Sequence, residues 1–560
     1  MCIRLRIVVL LFGAKPRDPS ERLTCLSHSS TLAVDGHRLV RRAPLPGGTA
    51  VQVSCVPGAA VFRHRTALTR YQLSGPVKTL VERGQLLPGS TFLDYGCGLG
   101  ADIRGLRDLG FNAFGWDPIH APDGPRGEAE IVNLGYVLNV IEDPAERLET
   151  LAAAWHLARR LLVVSALIGD ANADVPGTVA LNDGILTRRS TFQKYFGQRE
   201  LQCYIEDALE TVAIPVAIGI FYIFRDPSEH QLFVQGRSRR HVDWDGLKLN
   251  CTKTKRLPQE PRAVRPPRPD RFAKHLPLLE RFWSSVVALG RLPLPQGFSQ
   301  SSELCAAFGS AKRALRHLLR HGRQEVFDRA QAARRSDLLV YLATSNLRKV
   351  IPFSCLPESI RADITVFFGS YKRGLVQGRD LLYCAADTDT VVLACDEAVV
   401  GWQDERSLCV LPSVVDRLPP VLRTLIACAE LLYGDIRGAD ILKIHKFTGK
   451  VTFLNYADFE TAPLPVLVKR TRVNLRTVQV DVFNHAADGQ LLYFKERFLD
   501  TDDPEQQRLL STSDLLRQLG ISDSTLLGPR IPELRRIISE ANRPNLAEDL
   551  GLVHAEDQVS

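Results

Sequence analysis

Short continuous apolar runs separated by amphipathic stretches dominate the first 230 residues, a pattern that favours buried parallel strands between covering helices. Thr91-Phe92-Leu93-Asp94-Tyr95 reads as a first strand, residues 101–109 as a helix, and Phe111-Asn112-Ala113-Phe114-Gly115-Trp116 as a second strand. Pro118, Pro122, Gly124, Pro125 and Gly127 break the segment up to Val132, so a third strand unit is shortened to a vestige. The next strand begins near Glu130. Pro144 opens a helix to about Arg160 behind Asp143 as its cap, and residues 161–168 form another buried strand. Residues 211–218 and 219–224 close the pattern as an antiparallel pair in which Pro215 marks an edge. This order predicts an α/β, doubly wound, Rossmann-like sheet.

Beyond residue 275 the periodicity changes. Helical spacing at 276–289, 302–334 and 421–433 is mixed with strand-like runs at 338–342, 380–384, 390–395 and 408–411. Further strands are expected at 440–445, 450–455, 466–473, 479–483 and 490–495, with helices after Asp503. We read an α+β C-terminal domain with an antiparallel sheet and no internal repeat. The boundaries that follow are an N-terminal extension at 1–55, the α/β domain at 56–230, a linker at 231–275 and the α+β domain at 276–560.

The first strand ends in Asp94-Tyr95-Gly96-Cys97-Gly98-Leu99-Gly100. Glycines there let the backbone approach an adenosyl ligand, and an acid two places before the first glycine is placed to receive the ammonium of a methionine half. The spacing Gly-x-Gly-x-Gly favours S-adenosylmethionine over a nicotinamide dinucleotide. Asp117, 17 residues beyond Gly100, stands where a second-strand carboxylate grips ribose hydroxyls. The candidate cofactor residues are therefore Asp94, Gly96, Cys97, Gly98, Gly100 and Asp117, with Asn133 near the methyl donor. Cys97 reads as a small residue beside the ligand rather than a nucleophile. The sheet is thus expected to be of methyltransferase type.

Several blocks together resemble the methyltransferases associated with DNA phosphorothioation. They are Phe62-Arg63-His64-Arg65-Thr66-Ala67-Leu68, Leu93-Asp94-Tyr95-Gly96-Cys97-Gly98, Gly115-Trp116-Asp117-Pro118, the run from Val132 to Pro144, Asp183-Gly184-Ile185-Leu186-Thr187, Thr191-Phe192-Gln193-Lys194-Tyr195, and a distant block from Lys443 through Thr477. The resemblance spans about residues 62–499. It implies a bacterial chain linked to replacing a phosphate oxygen of DNA by sulphur, with DNA as the expected methyl acceptor and other phosphorothioation proteins as partners, and it assigns Asp94, Gly96, Gly98, Gly100, Asp117 and Asn133 to the cofactor. The scattered, unpaired cysteines fit a reducing cytoplasm.

The reacting atom is not identified. Enzymes that methylate an exocyclic amine of DNA carry Asp or Asn before Pro-Pro and an aromatic, whereas this chain reads Asn133-Leu134-Gly135-Tyr136. Cytosine ring methylation needs a Pro-Cys nucleophile, and no such dipeptide occurs. Asn133 and Tyr136 remain a substitute amine site, and Asp183, Tyr195 and His64 are candidates beside the acceptor. The alternative is a scaffold that keeps the fold as a cofactor sensor without chemistry.

Charge narrows the picture further. Residues 235–274 hold 12 Lys and Arg against 4 acids, which equals the formal net charge of +8, and five prolines make the stretch an extended linker or a phosphate-tracking arm. Lys312, Arg313, Arg316, Arg320 and Arg323 form a basic helix face. Lys443, His445, Lys446, Lys450, Lys469, Arg470, Arg472 and Arg476 are candidates for a DNA face, with Tyr456 and Phe459 for stacking. The 12 cysteines include no Cys-x-x-Cys pair, so no zinc site or disulfide framework is indicated, and no metal is expected. Residues 7–12 form the longest early apolar run, too short to cross a membrane.

Overall fold

The computed structural model describes residues 61–169, 178–239, 275–348, 350–485, 488–498, 504–522, 527–541 and 550. The N-terminal extension, the early apolar run and residues 240–274 of the linker lie outside them. The chain divides into two compact units at residues 223 and 224.

The first unit is an α/β sheet of methyltransferase type. Helix α1 (Gly75–Glu82) precedes β1 (Thr91–Tyr95), α2 (Ala101–Asp108), β2 (Asn112–Trp116), β3 (Ala129–Gly135), α3 (Pro144–Leu157) and β4 (Ala158–Ser165). A small antiparallel sheet, β5 (Val179–Leu181), β6 (Gly184–Leu186) and β7 (Phe192–Gln193), leads to α4 (Gln198–Leu209), β8 (Ile214–Ala217) and β9 (Ile220–Phe224). The main sheet runs β2-β1-β3-β4-β9-β8. Pairs β1–β2, β1–β3 and β3–β4 are parallel, and β8–β9 is antiparallel, with Pro215 tolerated because β8 is an edge. The third strand unit is absent: Asp117 and Ala121 close a tight bridge, and the chain returns directly to β3. Leu93, Val132, Leu134, Leu162, Val164 and Phe221 form the core.

Helix α3 starts as expected, with Asp143 accepting from the Ala145 N–H, yet it ends at Leu157. Ala158 already pairs with Ala129, so sheet pairing claims residues whose own preference is helical.

The second unit begins with α5 (Pro227–Arg237), and helices then run from α6 (Leu276–Leu289) through α7 (Ser301–Phe308), α8 (Ala311–Leu318), α9 (Gln324–Ser345), α10 (Glu358–Phe368) and α11 (Tyr371–Ala386) to α12 (Thr388–Asp396). The strands expected at 338–342, 380–384 and 390–395 are all helical. Leu338, Val340, Tyr341, Leu342 and Ala343 are buried on every side of α9, and a helix apolar all round mimics a buried strand in sequence.

The structure also reveals a repeat that the sequence pattern hid. Phe308-Gly309-Ser310-Ala311-Lys312-Arg313 and Phe368-Gly369-Ser370-Tyr371-Lys372-Arg373 form the same helix-turn-helix joint. In each, a glycine at φ +79° or +73° ends one helix, and a serine hydroxyl caps the next by accepting from the arginine N–H.

After β10 (Trp402–Gln403) and β11 (Ser407–Val410), α13 (Pro420–Tyr433) leads to β12 (Ile441–His445), β13 (Lys450–Ala457), β14 (Val466–Asn474), β15 (Gln479–Asn484) and β16 (Gln490–Leu492). Helix α14 (Pro504–Gln518), β17 (Leu527–Arg530) and α15 (Ile531–Glu540) complete this antiparallel-sheet region. The Tyr433 and Phe453 rings stack at 3.7 Å, which joins α13 to the sheet.

Candidate functional site

A cavity of about 940 Å³ opens at the C-terminal ends of β1, β2 and β3, where the glycine turn, the loop after β3 and the segment before α1 converge. Its lining includes Asp94, Gly96, Cys97, Gly98, Asp117 and Asn133, and extends to Tyr136, Val140, Leu167 and Gln193. Gly100 lies just behind, as the cap of α2 at φ +71°. At the upper end of the usual range for ligand pockets, the cavity has room for a cofactor and part of a second molecule.

The turn is shaped by close approach. Gly96 adopts φ +85°, and a Cβ there would meet Val137 Cγ2 at 2.4 Å, so any side chain is excluded twice over. The Gly96 and Cys97 N–H groups both donate to the Trp116 carbonyl. Asp117 locks the turn from the other side: one carboxylate oxygen accepts from the Gly98 N–H at 3.0 Å, and the other from Ile119 and His120.

Asp94 and Asn133 are in register on adjacent strands. The Asn133 amide donates to Asp94 Oδ1 at 2.8 Å. Both residues are buried, at 5% and 1% exposure. Burial, reinforced by the Asp102 carboxylate, pushes the Asp94 carboxyl up to about 7. The Asn133 Oδ1 is buried without a hydrogen-bond partner. The cavity wall therefore holds a carboxylate whose only side-chain donor is a neutral amide beside an amide oxygen with no donor, an arrangement that suits an ammonium group. Burial next to Asp94 and Asp117 holds the Cys97 thiol up at about 12, so Cys97 fills space as a thiol.

Arg63 and Arg70 at the site carried no individual sequence signal. Arg63, in the segment before α1, forms a double fork with Glu142 at 2.8 and 2.9 Å and with Glu146 at 2.5 and 2.6 Å, which ties that segment to the start of α3. Arg70 reaches Asp102 at 3.5 Å, and Asp102 also accepts from the Ser74 N–H. Tyr136 sits at φ +59° directly after β3, a costly conformation for an aromatic residue, and its N–H bonds to Ser165.

The Asn133 amide N–H is engaged by Asp94, whereas its Oδ1, the atom that would accept from an amine, has no partner. Asp183 is held by Arg147 at 2.8 and 3.0 Å and by Lys194 at 3.1 Å, and these cations outweigh burial to keep its carboxyl low. Asp183 is a structural ion pair, and Tyr195 packs on Gly169 outside the cavity lining. His64 lies on the cavity edge. In the second unit, burial raises the Tyr456 hydroxyl, and Tyr456 and Phe459 pack against the core cluster around Leu454 and Leu467. Among the described residues, no group of His, Cys, Asp and Glu could hold a metal ion, and no helix is long and apolar enough to cross a membrane.

No protein-family model matches this chain. No curated protein matches it either. Among solved structures it is similar to magnesium protoporphyrin IX methyltransferase from Synechocystis PCC 6803, solved with bound SAH, at 17% identity and a TM-score of 0.22, over 29% of this chain and 93% of that one. The fold assignment rests on the strand order, a methyltransferase-type sheet without its third strand.

Proposed function

We propose that the first unit binds S-adenosylmethionine and transfers its methyl group to an acceptor that enters the same cavity. The observation that carries this reading is the buried Asp94–Asn133 pair, with one carboxylate lacking a cation and one amide oxygen lacking a donor. A methionine ammonium would satisfy both. Asp117 has lone pairs left for ribose hydroxyls, and the glycine turn leaves the backbone bare against the adenosyl group. The cofactor supplies a methyl group on a sulphonium that is already a good leaving group, so the protein's contribution is to position the reactants and exclude water. Val137, Val140 and Leu167 supply an apolar wall beside the acceptor space, and Arg63 pins the segment that covers it.

DNA as acceptor, within a phosphorothioation system, is the finer form of the proposal, and the sequence blocks around Phe62, Asp117 and Asn139 support it. A scaffold without chemistry is the second reading, favoured by the missing third strand unit and by the lack of a Pro-Pro-aromatic run after Asn133. Calorimetric titration with S-adenosylmethionine, S-adenosylhomocysteine and NAD tests the first step. Binding of both adenosyl ligands without NAD is expected, and lack of both would overturn the cofactor assignment. Transfer of a tritiated methyl group to modified or unmodified DNA then separates the enzyme from the scaffold.

A further inference from the structure

The cations at the cavity divide into two sets. Inside, each one already has a carboxylate: Arg63 has Glu142 and Glu146, and Arg70 has Asp102. Asp94 and Asp117 add further negative charge to the wall. The interior therefore repels a phosphate. On the edge the balance reverses. The turn between β6 and β7 is closed by the Ser190 N–H donating to the Thr187 carbonyl and by Thr187 and Thr191 hydroxyls 2.7 Å apart, and its tip carries Arg188 and Arg189, both exposed.

The segment before α1 is joined to that tip. The Phe62 N–H donates to the Ser190 carbonyl at 2.8 Å, and Arg65 Nη1 reaches the Arg189 carbonyl at 3.5 Å. Arg65 lies over the Phe62 ring, 4.2 Å from its centroid, which fixes its direction. The preceding residue, His64, lines the cavity, as does Gln193 at the end of β7. Among the described residues Arg65, Arg188 and Arg189 have no carboxylate partner, in contrast to Arg63 two positions away. The hairpin tip that carries Arg188 and Arg189 is thus bonded to the segment that carries Arg65, one residue from His64 on the lining of a cavity whose interior is acidic and apolar.

We infer that Arg65, Arg188 and Arg189 form the docking edge for the sugar-phosphate backbone of a nucleic acid strand, whose uncharged base enters the cavity. This rests on the methyl-transfer reading for the purpose of the cavity, but the edge is defined independently of it. A strand matches the charge pattern because its phosphates stay outside while its bases are neutral, and a small phosphate ester small enough to enter would meet the acidic wall.

The test uses the full-length protein and fluorescein-labelled 20-mer DNA, single-stranded and duplex, with anisotropy measured over a salt series. The variant carries Arg65→Ala, Arg188→Ala and Arg189→Ala, and S-adenosylhomocysteine titration reports whether its cavity is intact. Each phosphate contact contributes about 0.7 to the log-log salt slope for a single strand, so the variant is expected to lose roughly 2 from the slope and at least about tenfold in affinity at 0.1 M salt. A slope unchanged in a variant that still binds S-adenosylhomocysteine like the parent would overturn the inference. So would equal competition by inorganic pyrophosphate at matched phosphate concentration, which would mean an isolated anion site. If the parent binds DNA through these arginines but binds no adenosyl ligand, the edge stands and the methyl-transfer reading fails. Arg188→Gln with Arg189→Gln, which changes only the exposed tip, repeats the measurement should the triple variant fold poorly.

Discussion

At Asp94 burial and ligand binding act on one proton. Its carboxyl titrates near 7 in the folded chain against an ordinary 3.8, so between those values the folded state holds a proton that the unfolded state has released. Stability of the unliganded protein therefore falls as pH rises from about 4 to 7, by on the order of 4 kcal/mol. Asp94→Asn removes that charge while keeping the shape, and thermal melts of the unliganded variant at pH 8 are expected to lie above those of the parent. A melt unchanged or lowered would mean that Asp94 has a cation partner in solution. The same proton governs the ligand. A cationic ammonium needs the ionised carboxylate, so affinity for S-adenosylhomocysteine should fall about tenfold from pH 8 to pH 6. Calorimetry at the two pH values reads this directly, and a flat profile would remove the ammonium from Asp94. Asn133→Leu keeps the volume but strips both the donor to Asp94 and the unpaired oxygen, and should weaken the same ligand by at least about tenfold with little change at Gly96 or Asp117.

Among the elements, the segment before α1 and the duplicated joints show how local sequence becomes a fixed part. The four hydrogen bonds of Arg63 span 79 or 83 residues of chain and hold residues 63–66 over the cavity. Arg63→Ala should therefore weaken S-adenosylhomocysteine binding mainly through faster dissociation, while the melting temperature moves little because the residue is partly exposed. Stopped-flow dissociation separates that outcome from a general loss of fold. In the second unit, Ser310 and Ser370 cap their helices identically, so Ser310→Ala and Ser370→Ala should each cost about 1 kcal/mol in urea unfolding. Unequal costs would mean that only one joint is under tension. The strands of the first unit were readable because parallel sheets bury both faces and leave unbroken apolar runs, and the glycine turn was readable because its chemistry is local. Helix α9 was misread for the same reason in reverse, since residues 340–344 are buried in succession and show no polar stripe, whereas the short apolar runs in α11 and α12 belong to half-exposed helices whose exposed Tyr383 and Leu393 hide the helical period. Arg63 and Arg70 gave no individual signal, since their roles come from partners 32 to 83 residues away, and Tyr136, named for its place after Asn133, gave no sign of its backbone angle.

In the whole molecule, the division at residues 223 and 224 separates the chemistry from the remainder. Every residue of the candidate site, from Arg63 to Gln193, belongs to the first unit, and the sheet that positions them is complete once β9 ends at Phe224. Among the described residues, nothing in the Asp94–Asn133 pair or the glycine turn draws on residues beyond that strand. The second unit has its own anchor. Asp363, fully buried, receives Arg291 at 2.5 Å and Arg334 at 2.6 Å, and Gln231 of α5 accepts from the Tyr341 hydroxyl at 2.7 Å. Cutting within α5 would strand those groups, whereas a cut between β9 and α5 keeps both sets of partners together. Residues 56–226 expressed alone are thus expected to fold cooperatively and to bind S-adenosylhomocysteine with the affinity of the full chain. Asp363→Ala in the full chain should destabilise only the second unit, by about 3–5 kcal/mol, because two buried guanidiniums lose their shared carboxylate. A two-step melt in that variant, with the ligand raising only the upper transition, would assign the cofactor to the first unit and the lower transition to the second. A single transition that shifts as one would mean that the two units unfold together, and a fragment that folds but binds no adenosyl ligand would place an essential contact beyond Phe224.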